Sequence, residues 1–351
     1  MPAWAMALAT IALLSFWVGV AGAQQRAAGA QGRIGVLLAA GDIAQCRRDR
    51  DGRIVDAGRA AATAELLGAE IAAAEADGVP VRVLALGDLA YPSGTRADFA
   101  CFEASWGRYA GRLLPVPGNH EHRRPNPDAA PYYEFFGGNP LVSANGPRTG
   151  YYSLRFPDPA RGPWLLIALN PYLPDAGARA RQAAWLEREL APAEPRCVLA
   201  FWHPPLFSSG LHGHGDSDDL DEPVCRPDDA RAICRETGMM LGAYRALYDR
   251  GASVVLAGHD HHFEQFGRLD PMGRPDPKGL RSFVVGTGGA RLRRHAYARR
   301  WPNEAYSHDS HGILRLDLLP DRYTWRFIPV AGARDVPIPE DRRADSCNGR
   351  R

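Results

Sequence analysis

Lysine is nearly absent from this chain: of 42 basic residues only Lys278 is a lysine, and the rest are arginine. That bias reflects coding composition rather than a binding surface. Excess charge is missing as well, because 40 acidic residues leave a net charge of +2 over 351 residues. Without an electrostatic footprint, no nucleic-acid or anionic-membrane partner is expected. None of the six cysteines (Cys46, Cys101, Cys197, Cys225, Cys234, Cys347) stands in a CxxC pair, which argues against a structural zinc knuckle. The one long apolar run, Met6 to Val20, is too short for a comfortable membrane span, and no Lys or Arg precedes it. No internal repeat is visible.

What is present describes an exported, folded chain. With 45% hydrophobic and 23% charged residues, the length supports one large core or two modest ones and excludes disorder. Residues 1–23, ending in the small residues Ala21-Gly22-Ala23, read as a cleaved secretory signal. The expected location is secreted or periplasmic, with no stable membrane insertion after cleavage. An even number of cysteines beyond such a signal favours disulfides. The expected pairs are Cys46–Cys101, linking loops after two strands, and Cys225–Cys234, closing a polar loop. Residues 24–32 form a linker, 33–330 one catalytic domain, and 331–351 a polar, Pro/Arg-rich tail.

Within 33–330, apolar strands alternate with amphipathic helices. "RIGVLLAAGD", "VRVLALGD", "GRLLPVPGNHE", "WLLIALN", "CVLAFWH" and "ASVVLAGHDHH" contain the strands. Helices are expected at 58–76, 178–190 and 239–249. The alternation is an α/β pattern. Strands at 281–285, 311–318 and 323–329 follow without helices and suggest antiparallel additions.

Five of these strands end on a residue able to bind a metal: Asp42, Asp88, Asn119, His203, and His259 with His261. Loops at the carboxyl ends of strands are where α/β sheets build their sites. Singly, each residue has an ordinary explanation: a turn or helix cap for an aspartate, a packed imidazole for His203, a core aromatic for Tyr91. Jointly, five strand ends of one kind point to a metal site.

The stretches "GDIA", "GDLAY", "GNHE", "FWHPP" and "GHDHH", with "VVGTGG" at 284–289, resemble the sequence blocks of the calcineurin-like metallophosphoesterase superfamily. The tyrosine of the second block makes the chain similar to its purple acid phosphatase branch. The resemblance implies a β-sandwich of two mixed sheets flanked by helices. It also implies two metal ions. Asp42, Asp88, Tyr91 and His261 would hold the first, with Asp88 bridging to a second completed by Asn119, His203 and His259. Much of the superfamily has a histidine two residues after the first aspartate. Here Ala44 stands there, and on the resemblance Tyr91 would supply the missing ligand. A phenolate among carboxylates favours Fe(III), since free tyrosine titrates near 10. The neutral donors of the second position suit a divalent ion, Zn, Mn or Fe.

The implied reaction is hydrolysis of a small-molecule phosphate monoester by in-line attack of a metal-bound hydroxide. His120 would lie on the phosphate side and His212 by the leaving group, and both, with Asn119, would contact substrate. A phosphodiesterase or nucleotidase using the same metals is the alternative, decided by loops 122–150 and 204–238. A catalytically silent metal-binding surface protein is a more distant one. His122 and His262 are expected to be bystanders, His214 lies in the same Gly/Ser-rich loop as His212, and Arg291, Arg293, Arg294, Arg299 and Arg300 read as a solvated loop face.

Overall fold

Strands whose apolar runs are unbroken need cover on both faces, and in the computed structural model they have it. The structure describes residues 32–210, 212, 232–293 and 303–349. The expected signal, Cys225 of the expected Cys225–Cys234 pair, His214, Arg294, Arg299 and Arg300 lie outside the described residues.

The first half of the chain contributes β1 (Gly35–Ala40), β2 (Arg47–Arg48), β3 (Ile54–Asp56), α1 (Gly58–Ala76), β4 (Val81–Leu86), α2 (Arg96–Glu103), β5 (Leu113–Val116) and α3 (Ala130–Phe135). Then come β6 (Tyr152–Phe156), β7 (Trp164–Ala168), α4 (Ala176–Leu190), β8 (Cys197–Phe201), α5 (Ala232–Asp249) and β9 (Val254–Ala257). The last strands are β10 (Phe263–Leu269), β11 (Leu280–Val285), β12 (Asn303–Ser307), β13 (Gly312–Leu318), β14 (Arg322–Pro329) and β15 (Ala344–Ser346).

Two mixed sheets result, one ordered β15-β14-β13-β1-β4-β5 and the other β12-β10-β11-β9-β8-β7-β6. β1 is buried throughout because β4 pairs with it in parallel and β13 antiparallel. Side-chain alternation then separates the layers. On β7, Trp164 and Leu166 join the core between the sheets, while Leu165 and Ile167 face Trp185, Leu186 and Leu190 of α4. On the outer side of the first sheet, α1 buries Ala60, Ala64, Leu67 and Ile71. The layers are therefore helix, sheet, sheet, helix. No helix among the described residues is long and apolar enough to cross a membrane.

The expected Cys46–Cys101 disulfide is present, with Cys101 on α2 rather than in a loop. Residues 331–349 differ from expectation. The polar segment is joined to the sandwich rather than trailing from it: β15 pairs with β14, Val336 and Ile338 are buried, and Cys347 forms a disulfide with Cys197 at the start of β8. The segment's polarity was misleading because its polar groups are paired: the Asp345 carboxylate accepts from Arg268 and Arg281, and Asn348 donates to the Ala252 and Gly279 carbonyls.

Candidate metal centre

Each strand that ends in a donor residue runs toward the same edge of the sandwich. Asp42 follows β1, Asp88 and Tyr91 follow β4, and Asn119 and His120 follow β5. From the other sheet, His203 follows β8, and His259 and His261 lie between β9 and β10. The donors thus gather where the carboxyl ends of the two sheets meet. Backbone bonds hold that seam: Gly41 N–H donates to Val285 O of β11 (2.8 Å), and Asp42 N–H donates to Gly87 O (3.0 Å).

The local backbone is unusual. Asp42, Asp88 and His259 have φ of 59°, 49° and 72°, left-handed values that non-glycine residues adopt rarely and mostly at functional sites. Two glycines make room for them. A Cβ on Gly118 would collide with the Asp88 carboxylate, and one on Gly258 would sit 2.7 Å from Asp42 Oδ2.

The side chains converge closely. Tyr91 Oη lies 2.8 Å from Asp42 Oδ1, 3.1 Å from Asp88 Oδ2 and 3.0 Å from His261 Nε2. His203 Nε2 lies 3.1 Å from Asn119 Oδ1, 3.2 Å from His259 Nδ1 and 3.3 Å from Asp88 Oδ1. Atoms of Asp88, His203 and His259 all fall within 4.8 Å of one another. Ala44, buried beside this group, carries no ligand atom, and the phenol of Tyr91 contacts both aspartates.

A carbonyl can only accept, so His203 Nδ1–H donates to Leu86 O (2.8 Å) and His261 Nδ1–H donates to Arg291 O (2.7 Å). In the neutral ring this leaves each Nε2 with a lone pair directed at the cluster, the arrangement metal-ligating histidines use. Lone pairs, carboxylates and an amide oxygen so close repel one another unless positive charge lies among them. The titration shifts point the same way. Burial opposes charge on His203, yet Asp88 overrides it and raises the imidazole pKa to about 10. Burial, then Asp42 and Asp88, push the Tyr91 phenol well above its ordinary value, so a phenolate here requires a cation. The donor set fits metal ions.

His120 and His212 flank the group. The His120 backbone N–H donates to Asp88 Oδ1 (2.7 Å), its ring Nδ1–H donates to Pro92 O (2.6 Å), and the ring packs 4.2 Å from that of Tyr91. The His212 ring lies 4.3 Å from that of His259. His122 and His262 are turned elsewhere, toward Pro127 O and Glu264. Arg291 and Arg293 contribute backbone atoms, the carbonyl that holds His261 and an N–H donated to His261 O.

Glu121 was not anticipated, although it immediately follows the "GNH" run. It is fully buried and accepts N–H bonds from Leu89 (2.8 Å), Ala90 (3.1 Å) and Gly118 (2.7 Å), stapling the loop after β4 to that after β5. Burial, then the neighbouring Asp88 charge, push its pKa up to about 8, while the N–H donors pull it back. In Glu121→Gln an amide NH₂ replaces one acceptor and meets an N–H donor. The expected cost is about 1–3 kcal/mol, read as a lower midpoint in chemical denaturation. An unchanged midpoint would show that the staple is not needed.

Three solved structures share this architecture. One is purple acid phosphatase PPD1 from yellow lupin (Lupinus luteus) seeds, with TM-score 0.65 and 18% identity over 90% of this chain and 54% of that one. GAP50, the anchor in the inner membrane complex of Plasmodium, gives 0.54 and 12% over 87% and 89%. PhoD gives 0.54 and 14% over 91% and 72%. The chain therefore spans about half the length of the lupin phosphatase (54%), and likeness at such identities concerns the fold alone. No curated protein matches the chain in sequence. Residues 35–263, the span that carries all five donor-bearing strand ends, do match the sequence model of the calcineurin-like phosphoesterases. The chain belongs to that family.

Proposed function

We propose that this protein is an exported acid phosphatase that hydrolyses phosphate monoesters with two metal ions. The observation that carries the proposal is the convergence of Asp42, Asp88, Tyr91, Asn119, His203, His259 and His261 at one seam, with Tyr91 against both aspartates. Asp42, Asp88, Tyr91 and His261 would hold Fe(III). Asp88, Asn119, His203 and His259 would hold Zn, Mn or Fe as a divalent ion. When bound, such a pair supplies Lewis acidity to the phosphoryl oxygens and lowers the pKa of water at the site.

The chain's own residues do the rest. His120, fixed by Pro92 O and packed on Tyr91, would donate Nε2–H to a phosphoryl oxygen as its imidazolium, a form that burial confines to low pH by lowering the ring's pKa. Asn119, half-buried, would contact the substrate beside His120. As water attacks phosphorus in line, the bond to the leaving oxygen breaks and that oxygen takes a proton from the His212 imidazolium. Burial lowers the His212 pKa below 6.5. Its acid form is therefore populated at low pH and lost as pH rises, in keeping with an acid optimum. The two disulfides fit an oxidising compartment, in agreement with a secretory signal at 1–23.

Assays on p-nitrophenyl phosphate and its bis ester test the reading, with the monoester expected to turn over faster. A preference for the diester would make this a phosphodiesterase, and background turnover at full metal occupancy a silent surface protein. The purified protein should also show a visible tyrosinate-to-iron charge-transfer band that is absent from Tyr91→Phe. A colourless, iron-free, active wild type would assign Mn or Zn and a different role for Tyr91.

A further inference from the structure

We propose that Asp260 is a positioning residue that holds the loop carrying His212 over the metal centre. The inference rests on the role assigned to His212 above. Asp260 lies between His259 and His261 in sequence, and its carboxylate points to the loop after β8. It is 2% exposed, far from the usual setting of an aspartate. Asp260 Oδ2 accepts the Ser208 hydroxyl proton (2.5 Å), and Oδ1 accepts His212 N–H (3.2 Å). Ser208 Oγ in turn accepts Gly210 N–H (3.0 Å). The loop lies so close to this carboxylate that a Cβ on Gly210 would collide with it.

A second acid of the same run completes the grip. Glu264 accepts both the backbone N–H (2.8 Å) and the hydroxyl (2.6 Å) of Ser209. Asn303 Nδ2 (2.6 Å) and His262 Nε2 (3.2 Å) hold Glu264 from the other side. One seven-residue run, 258–264, thus carries two metal donors and both carboxylates that position the loop. The backbone of His212 is pinned to the residue after His259, and its ring packs against the His259 ring at 4.3 Å. Coupling of this kind keeps a proton donor in register with the metal centre, where a displacement of an ångström is costly.

Asp260→Ala and Asp260→Asn test the assignment in the metal-loaded protein. In Asp260→Ala the amides of Ser209, Gly210 and His212 should exchange with deuterium about tenfold faster or more, with metal content unchanged. Turnover should fall about 10²-fold on an alkyl phosphate, whose leaving group needs a proton, and less than about tenfold on p-nitrophenyl phosphate. Adding His212→Ala should cost nothing further. Asp260→Asn should restore most of the activity, since its Oδ1 can accept His212 N–H while its amide donates to Ser208 Oγ. Ser208→Ala, which leaves 258–264 intact, should show the same signature in smaller measure.

Unchanged exchange in Asp260→Ala and Ser208→Ala would overturn the assignment whatever the activity. So would equal losses on the two substrates, losses additive with His212→Ala, or loss of metal. An inert wild type would refute the phosphatase reading instead, and the exchange measurement would still decide whether Asp260 holds the loop.

Discussion

Asp88→Asn protein is expected to emerge without either metal and with turnover reduced by on the order of 10³-fold or more, beyond the 10–100-fold typical of losing an outer partner of a ligand. Asp88 is 1% exposed. One oxygen lies 3.3 Å from His203 and accepts His120 N–H, and the other accepts the Tyr91 phenol proton. Burial opposes its charge, yet His203, His120 and His259 hold its pKa well below the carboxylate range. The site is thus built around an anion at this position. An asparagine keeps one oxygen for His120 N–H, so local shape survives, but it removes the negative charge and turns an NH₂ toward Tyr91. Elemental analysis is the deciding measurement. Two metals per chain in the variant, with wild-type turnover, would refute the bridging role.

A second large effect concerns stability rather than chemistry. Replacing Cys197 and Cys347 together by serine opens a link with a sequence separation of 150 residues. Restricting a loop of that length in the unfolded chain is worth roughly 5 kcal/mol in the chain-entropy description. The expected result is a thermal midpoint lower by about 10 °C. Turnover at room temperature should be retained, because β15 remains paired with β14 and the disulfide lies at the end of β8 remote from His203. Calorimetry of the double variant checks the first part, and an initial-rate assay the second. A midpoint unchanged within error would mean that the docked segment, not the covalent link, carries the effect.

The candidate donors could be singled out because each sits where an apolar run stops, and periodicity reports that boundary directly. Tyr91 could be singled out only beside Ala44, and its hydroxyl lies within 3.1 Å of a carboxylate oxygen of each aspartate. Other features left no local trace. β10 contains Glu264 and Gln265, both fully buried. Such residues argue against a core strand until their partners are known: Ser209 and Asn303 for Glu264, Glu304 and Trp325 for Gln265. The C-terminal segment was misread for the same reason, since the arginines that pair with Asp345 are distant in sequence. Asp260 carried no signal of its own between two histidines, because its hydrogen-bond partners Ser208 and His212 lie roughly fifty positions earlier. Long-range pairing of polar groups is the information that one-dimensional patterns lack.

The seam between the sheets has a consequence for traffic through the protein. Cys197 begins β8 and is bonded to Cys347 beyond β15, on the far edge of the other sheet. At the opposite end of the sandwich, Gly41 of the first sheet is bonded directly to Val285 of the second. The two sheets are therefore tethered at foot and crown and cannot part like the covers of a book. On the proposed function, a substrate then reaches the donors at the rim where β1, β4, β5, β8 and β9 end, without the sheets opening.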